Sequence, residues 1–314
     1  MLAPVGWKRE GGVVWQMQYA NLATVKMRVF DPTGERALES FPVVPCVWDA
    51  RGIGAFPPGT VYMGMVVAAP PRDAEAFVRA YVIPKYRQEA RGLRVLGTTP
   101  LPDVEKAVLA AEEEAGLEKK TIAARVRLEY AQHDEMLEED IYCAFTTSRA
   151  PQVLPTRTLW MPDRLFSFRA KKGELDALAP MFDAMIASVR IDFRWYDGYL
   201  QVLEMSRKNQ LQSINDAAAL SRRIAKNSDE ILAMNRKAWE KQQASTDRVM
   251  EQVSDSIRGV ERYRDPFESR PIELPSGYSE VWASPNGEYV LSNDPNFDPS
   301  RGSSVDWRRV EKKP

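Results

Sequence analysis

The sequence predicts an α+β protein: a mostly antiparallel sheet covered by helices, followed by a long α-helix that can pair as a coiled coil, and a small C-terminal β-hairpin. Three observations predict it. Apolar and polar residues alternate with period two in several runs within residues 1–192. A proline-free stretch dense in Ala, Gln, Lys, Arg and Glu then occupies most of residues 193–264. Finally, residues 265–314 carry aromatic-rich runs on both sides of Ser284-Pro285-Asn286-Gly287, ahead of a mobile tail.

Within the first part, Val13, Trp15, Met17 and Tyr19 alternate as a half-buried strand should, and Val25, Met27 and Val29 repeat the pattern. Asp31-Pro32-Thr33-Gly34 reads as the turn closing a hairpin. The Pro- and Gly-rich stretch from Ala50 to Gly59 reads as loop, and Val61 to Val67 as an apolar strand. A helix follows over Asp73 to Glu89, which Pro84 should kink or end. Ala107 to Ala115 reads as a more solvated helix. Val126, Leu128 and Tyr130 and then Leu137, Ile141, Cys143 and Phe145 suggest an antiparallel pair turning near Gln132 to Glu135. Met161-Pro162-Asp163-Arg164 resembles another hairpin turn, between Leu159-Trp160 and Phe166 to Phe168. Leu175, Leu178, Phe182, Met185 and Val189 step by three and four along an amphipathic helix that Pro180 interrupts.

From Trp195 to Tyr263 a continuous helix would be about 100 Å long; an interrupted pair is the alternative. A heptad-like seam runs through Ile214, Ala217, Ser221, Ile224, Ser228, Ile231, Asn235, Ala238 and Gln242, with a cleaner stripe at Val249, Val253, Ile257 and Val260. Polar residues dilute the middle of this seam, either as buried register-setting positions or as a solvated face. Asp265-Pro266 is expected to stop the helix, and Tyr278 to Ser292 to form the hairpin. An isolated hairpin is marginal in water. Tyr278, Trp282, Tyr289 and Phe297 therefore need a surface, for which the long helix or a neighbouring subunit is the natural candidate.

The first domain resembles the PsbP-like fold, a sheet with helices on both faces also found in the Mog family of Ran-binding proteins. Pro4-Val5-Gly6-Trp7, Phe166-Ser167-Phe168 and the closing run Phe182-Asp183-Ala184-Met185-Ile186-Ala187-Ser188-Val189-Arg190 carry the resemblance. What it implies is a non-enzymatic binding or assembly module. The matching positions are core and turn residues, so no functional residue is carried over.

The 314 residues include 43 basic and 44 acidic side chains, a formal charge of −1 that offers no footprint for nucleic acid. No apolar run approaches the ~20 residues of a membrane span. No signal peptide is visible in MLAPVGWKREGG, whose abrupt start reads as trimmed from a longer chain; cytoplasmic and secreted settings both stay open. Cys46 and Cys143 read as buried free thiols, with a disulfide as the alternative. His133, the one histidine, sits in an expected turn beside Asp134, Glu135, Glu138, Glu139 and Asp140. Strand alternation would split these carboxylates between two faces, which is poor metal geometry. Gly52-Ile53-Gly54 and Gly11-Gly12 continue into neither a dinucleotide fingerprint nor a phosphate loop.

These readings assign no catalytic, cofactor-binding or metal-binding residue. They favour a structural or protein-interaction module that uses its long helix for oligomerisation or partner docking. The candidate contacts to itself or to another protein are Trp195, Tyr199, Ile214, Ile224, Ile231, Trp239, Val249, Val253, Ile257, Trp282 and Tyr289. The C-terminal hairpin is expected to cover Trp239, with a docking site for another protein as the alternative. The competing function is a small-ligand receptor or enzyme whose pocket in the first domain is bordered by residues 50–59.

Overall fold

The computed structural model describes residues 1–111, 117–150, 152, 155–207 and 229–312. It is mixed α and β, with two compact units, Met1–Glu251 and Gln252–Pro314.

The first unit is built on a ten-stranded sheet. Its strands are β1 (Lys8–Trp15), β2 (Ala23–Phe30), β3 (Ala37–Ser40), β4 (Cys46–Asp49), β5 (Val61–Tyr62), β6 (Met65–Val67), β7 (Arg91–Pro100), β8 (Glu118–Gln132), β9 (Glu135–Arg149) and β10 (Arg157–Lys171). One path through the sheet runs β1-β2-β3-β10-β4-β6-β5, and a second branch, β9-β8-β7, leaves β10. Every pairing is antiparallel except β4 with β6.

Alternation along β8, β9 and β10 sorts their side chains onto two buried faces. One face carries Val126, Leu128, Tyr130, Ile141, Cys143 and Phe145, which form a core with Phe77, Val78 and Val82. Those last residues lie on α1 (Ala74–Phe77), a π-helical turn (Val78–Val82) and α2 (Ile83–Tyr86). Asp73 caps this run by accepting from the Ala76 N–H at 2.7 Å. Pro84 does not end the helical run, which continues to Tyr86; it lies in the first turn of α2, directly after the wide π-helical turn, where its missing N–H removes no i→i−4 bond of α2. On the opposite face Phe168 stacks on Phe182 of α4 (Ala179–Ala187) at 4.6 Å between ring centroids. Between β7 and β8 lies α3 (Pro102–Ala111).

Several expectations need correction. Met161 to Arg164 is no hairpin turn: β10 runs straight through it, with a bulge in its pairing to β9 between Pro162 and Arg164. That bulge falls between the residues that pair with β4 and those that pair with β3, so the proline breaks no ladder on that side. Pro180 does not interrupt a helix but starts α4 at its first turn, where a missing N–H costs nothing. Nor is the end of β1 half-buried: Val13, Val14 and Trp15 are exposed.

The stretch expected as one helix contains α5 (Phe193–Arg207) and α6 (Asp229–Arg258). α5 packs Val202, Met205 and Tyr199 against Leu22, which follows β1. Partners drawn from the two segments run in opposite directions. Asn235 bonds Asp197, Trp239 and Gln243 bond Ile191, and Asp247 faces Arg190. The segment is therefore an antiparallel helical pair rather than one long rod. α6 ends at Gly259, whose φ of 65° suits the left-handed cap position, and not at Asp265-Pro266.

The second unit contains two three-stranded sheets. β11 (Val260–Arg264) lies between β12 (Pro271–Pro275) and β16 (Glu311–Lys312), while β13 (Glu280–Ala283) lies between β14 (Tyr289–Ser292) and β15 (Arg308–Arg309). The expected C-terminal hairpin is β13–β14, with Gly287 at φ 78° in its turn. Its packing surface is the neighbouring sheet, through a core of Tyr263, Ile272, Leu274, Val281, Ala283 and Val310.

Candidate functional site

Two places in the first unit stand out: an apolar face at the end of the β1–β2 hairpin, and a charged cavity beside the turn between β2 and β3.

The apolar face follows from strand alternation. Val13 pairs with Val25 and Trp15 with Ala23, so Val13, Trp15 and Val25 share one side of the hairpin. The Trp15 ring lies 6.3 Å from both the Trp195 and Tyr199 rings of α5, and those two stack on each other at 5.5 Å. Even so, Val13, Trp15, Met17 and Val25 keep 40–45% of their surface exposed. The open edge of β1 is blunted over Lys8, Arg9 and Glu10 by charge, and at Gly11 by a backbone φ of 79°. A Cβ at Gly11 would sit 2.0 Å from the Lys26 carbonyl oxygen, so only glycine allows this approach. The apolar end beyond carries no such protection.

The cavity, about 510 Å³, is lined by residues that include Glu10, Arg28, Phe30, Gly34, Glu39, Arg87, His133 and Arg169. It does not involve residues 50–59. Asp31 shapes its rim by accepting from the N–H groups of Glu35 (3.1 Å) and Arg36 (3.3 Å), which fixes the turn that presents the Gly34 carbonyl. Arg28 and Arg169 both donate to that one oxygen, at 3.1 and 2.9 Å. Arg87 is engaged differently. Its Nε donates to Glu139 Oε2 at 2.7 Å, its Nη2 contacts Glu139 Oε1, and Nη2 also reaches Glu39 at 2.9 Å. The Tyr130 hydroxyl donates to Glu139 at 2.8 Å.

Burial opposes the charge on both members of the Arg87–Glu139 pair, and their mutual attraction overrides it. The guanidinium is held well above its ordinary pKa and the carboxyl below its own. Arg28 moves the other way: burial and then the nearby Arg169 lower its pKa, against the pull of Glu39 and Glu10.

Of the expected contact residues, the structure brings Trp195 and Tyr199 together, but with Trp15 as their cover. Ile214 and Ile224 lie outside the described residues, and Ile231 falls in the first turn of α6. Trp239, for which the C-terminal hairpin is the expected cover, is half-buried and has partners within the first unit. Its indole N–H donates to the Ile191 carbonyl at 2.9 Å and its ring meets Phe193 edge-on at 5.7 Å. Val249 and Val253 are already buried within the chain, whereas Ile257 is half-buried. In the second unit, Tyr289 donates to Asp265 at 2.6 Å and Trp282 is half-buried on β13.

His133 occupies the β8–β9 turn at φ 48°, with its side chain 82% exposed. The neighbouring carboxylates do split: Glu139 pairs with Arg87 on one face, and Asp140 with Arg127 on the other. Among the described residues no group of His, Cys, Asp or Glu is arranged to hold a metal ion, and no helix is long and apolar enough to cross a membrane. Both cysteines are free and buried, and burial pushes each thiol up to about 12.

The competing expectation sets a pocket in the first domain beside residues 50–59, and the residues that line this cavity were missed. Arg28, Glu39, Arg87 and Arg169 come from separated segments, and only the pairing of β2, β3 and β10 gathers them. The one available signal was a charged residue at core-facing positions, as at Glu139 between Leu137 and Ile141. Comparison with family models, curated proteins and solved structures finds no match, so the interpretation of both places rests on their geometry.

Proposed function

We propose that this chain is a non-catalytic protein-interaction module that assembles with a second copy of itself through the end of its β1–β2 hairpin. The observation that carries this reading is the exposed face of Val13, Trp15 and Val25, continuous with the ring pair Trp195–Tyr199. Apolar and aromatic side chains grouped on a surface are what a protein interface removes from water. Two such faces meet across a two-fold axis without needing any other complementary surface.

In this reading the helical pair is a buttress. It holds Trp195 and Tyr199 against Trp15, and its own apolar stripe at Val249 and Val253 is spent inside the chain. The role extends the binding or assembly character that the PsbP-like resemblance implies. Light scattering on the full chain tests it: the unaltered protein should be a dimer, and Val13→Glu or Val25→Glu a folded monomer. A dimer unaffected by both substitutions would sink the assignment.

A further inference from the structure

We propose that the cavity between β2, β10 and the β2–β3 turn binds a small ligand by its oxyanion group, a carboxylate or a phosphate, held between Arg28 and Arg169. Unlike the assembly described above, this concerns the opposite end of β2 and does not depend on it.

The three guanidiniums differ in what they already hold. Arg87 is matched by Glu139 and Glu39. Arg28 and Arg169 have no carboxylate in contact: among the described residues neither forms an ion pair, Glu39 and Glu10 attract Arg28 and Glu139 attracts Arg169 only from farther away, and both guanidiniums converge on the single neutral oxygen of Gly34. Two like charges directed at one carbonyl repel each other, and an anion between them would reverse the sign of that interaction. Arg169 is only 5% exposed, its Nη1 donates to Gln132 at 3.2 Å, and its Nε has no hydrogen-bond partner. The Nε of Arg28 is likewise buried without a partner. An unmet charged donor in a buried site is costly, and Nε with Nη forms the edge of the fork that grips a carboxylate or phosphate with two bonds.

The surroundings fit a small ligand. A volume of about 510 Å³ is in the ordinary range for such sites. Phe30 backs Arg28, with the guanidinium 4.5 Å from its ring centroid, and Leu137 and Tyr86 add apolar wall. Acidic neighbours set the limits. Glu35 and Glu135 are both tied to Lys171, at 3.2 and 3.3 Å, and Glu39 to Arg87. Glu89 accepts from Gln132 at 3.3 Å, and with Glu10 it disfavours highly charged anions on the lining.

Calorimetric titration of the full chain with inorganic phosphate and, separately, with succinate tests the proposal, at constant ionic strength set by chloride. Saturable binding of either is expected, and which one binds distinguishes the phosphate source from the carboxylate source. Arg28→Gln, at a half-exposed position that leaves the Arg87–Glu139 pair intact, should weaken it about tenfold or more, the loss of one charge-assisted hydrogen bond. In the bound protein the Nε–H resonances of Arg28 and Arg169 should shift together. Absence of saturable binding by both probes would overturn the proposal, as would binding that Arg28→Gln leaves unchanged.

Discussion

Arg87 and Glu139 form a two-point ion pair in the core of the first unit, with side chains 4% and 0% exposed. The pair joins α2 to β9, and Tyr130 from β8 donates to the same carboxylate. A buried pair of this kind adds little net stability over an apolar replacement, but removing one member strands the other charge. Glu139→Ala should therefore cost about 3–5 kcal/mol in urea unfolding followed by circular dichroism. A loss below about 1 kcal/mol, the range of an exposed pair, would contradict the burial.

The same carboxylate sets an acid limit. Its folded pKa lies below the ordinary range, so the stability it contributes is complete above the unfolded-state value near ~4.3 and is lost as pH falls through the folded pKa. Unfolding free energy of the unaltered chain should fall more steeply with acid than that of Glu139→Gln, which has no proton to take up there. Parallel curves for the two proteins would show that Glu139 does not control this window.

A third expectation concerns the helical pair. Asn235 is buried and donates to Asp197 at 2.5 Å, whereas Gln242, which shares its heptad seam in the sequence, faces water. Asn235→Ala should destabilise by about 1–3 kcal/mol because Asp197 loses a buried donor. Gln242→Ala should stay within about 0.5 kcal/mol of the unaltered protein. Equal effects would mean that both belong to one seam.

Both thiols are buried with pKa values pushed up to about 12, so neither supplies a reactive thiolate near neutral pH. Labelling with a disulfide reagent at pH 8 should be very slow in the native protein and rapid for both cysteines in denaturant. Prompt native labelling of either would show that its cover opens.

Much of this architecture was legible in the residues because period and turn chemistry are local. The β8–β9 hairpin with His133 in its turn and the β13–β14 hairpin both follow from short patterns. Proline misled where its position in an element mattered more than its presence. Pro180 opens α4, and Pro162 sits at a bulge in a strand that continues. The helical pair was only half legible: Asn235 reads equally well as solvated or buried until Asp197 is known to face it. The cavity was out of reach, since nothing local connects Arg28 with Arg169, and the apolar face at Trp15 depends on how far α5 covers it.

Self-association through the hairpin face is the central claim, and sedimentation of the full chain across a range of concentrations tests it most directly. The unaltered protein should show a monomer–dimer equilibrium that Val13→Glu shifts wholly to monomer, with unchanged circular dichroism. A single monomeric species at every concentration would contradict it.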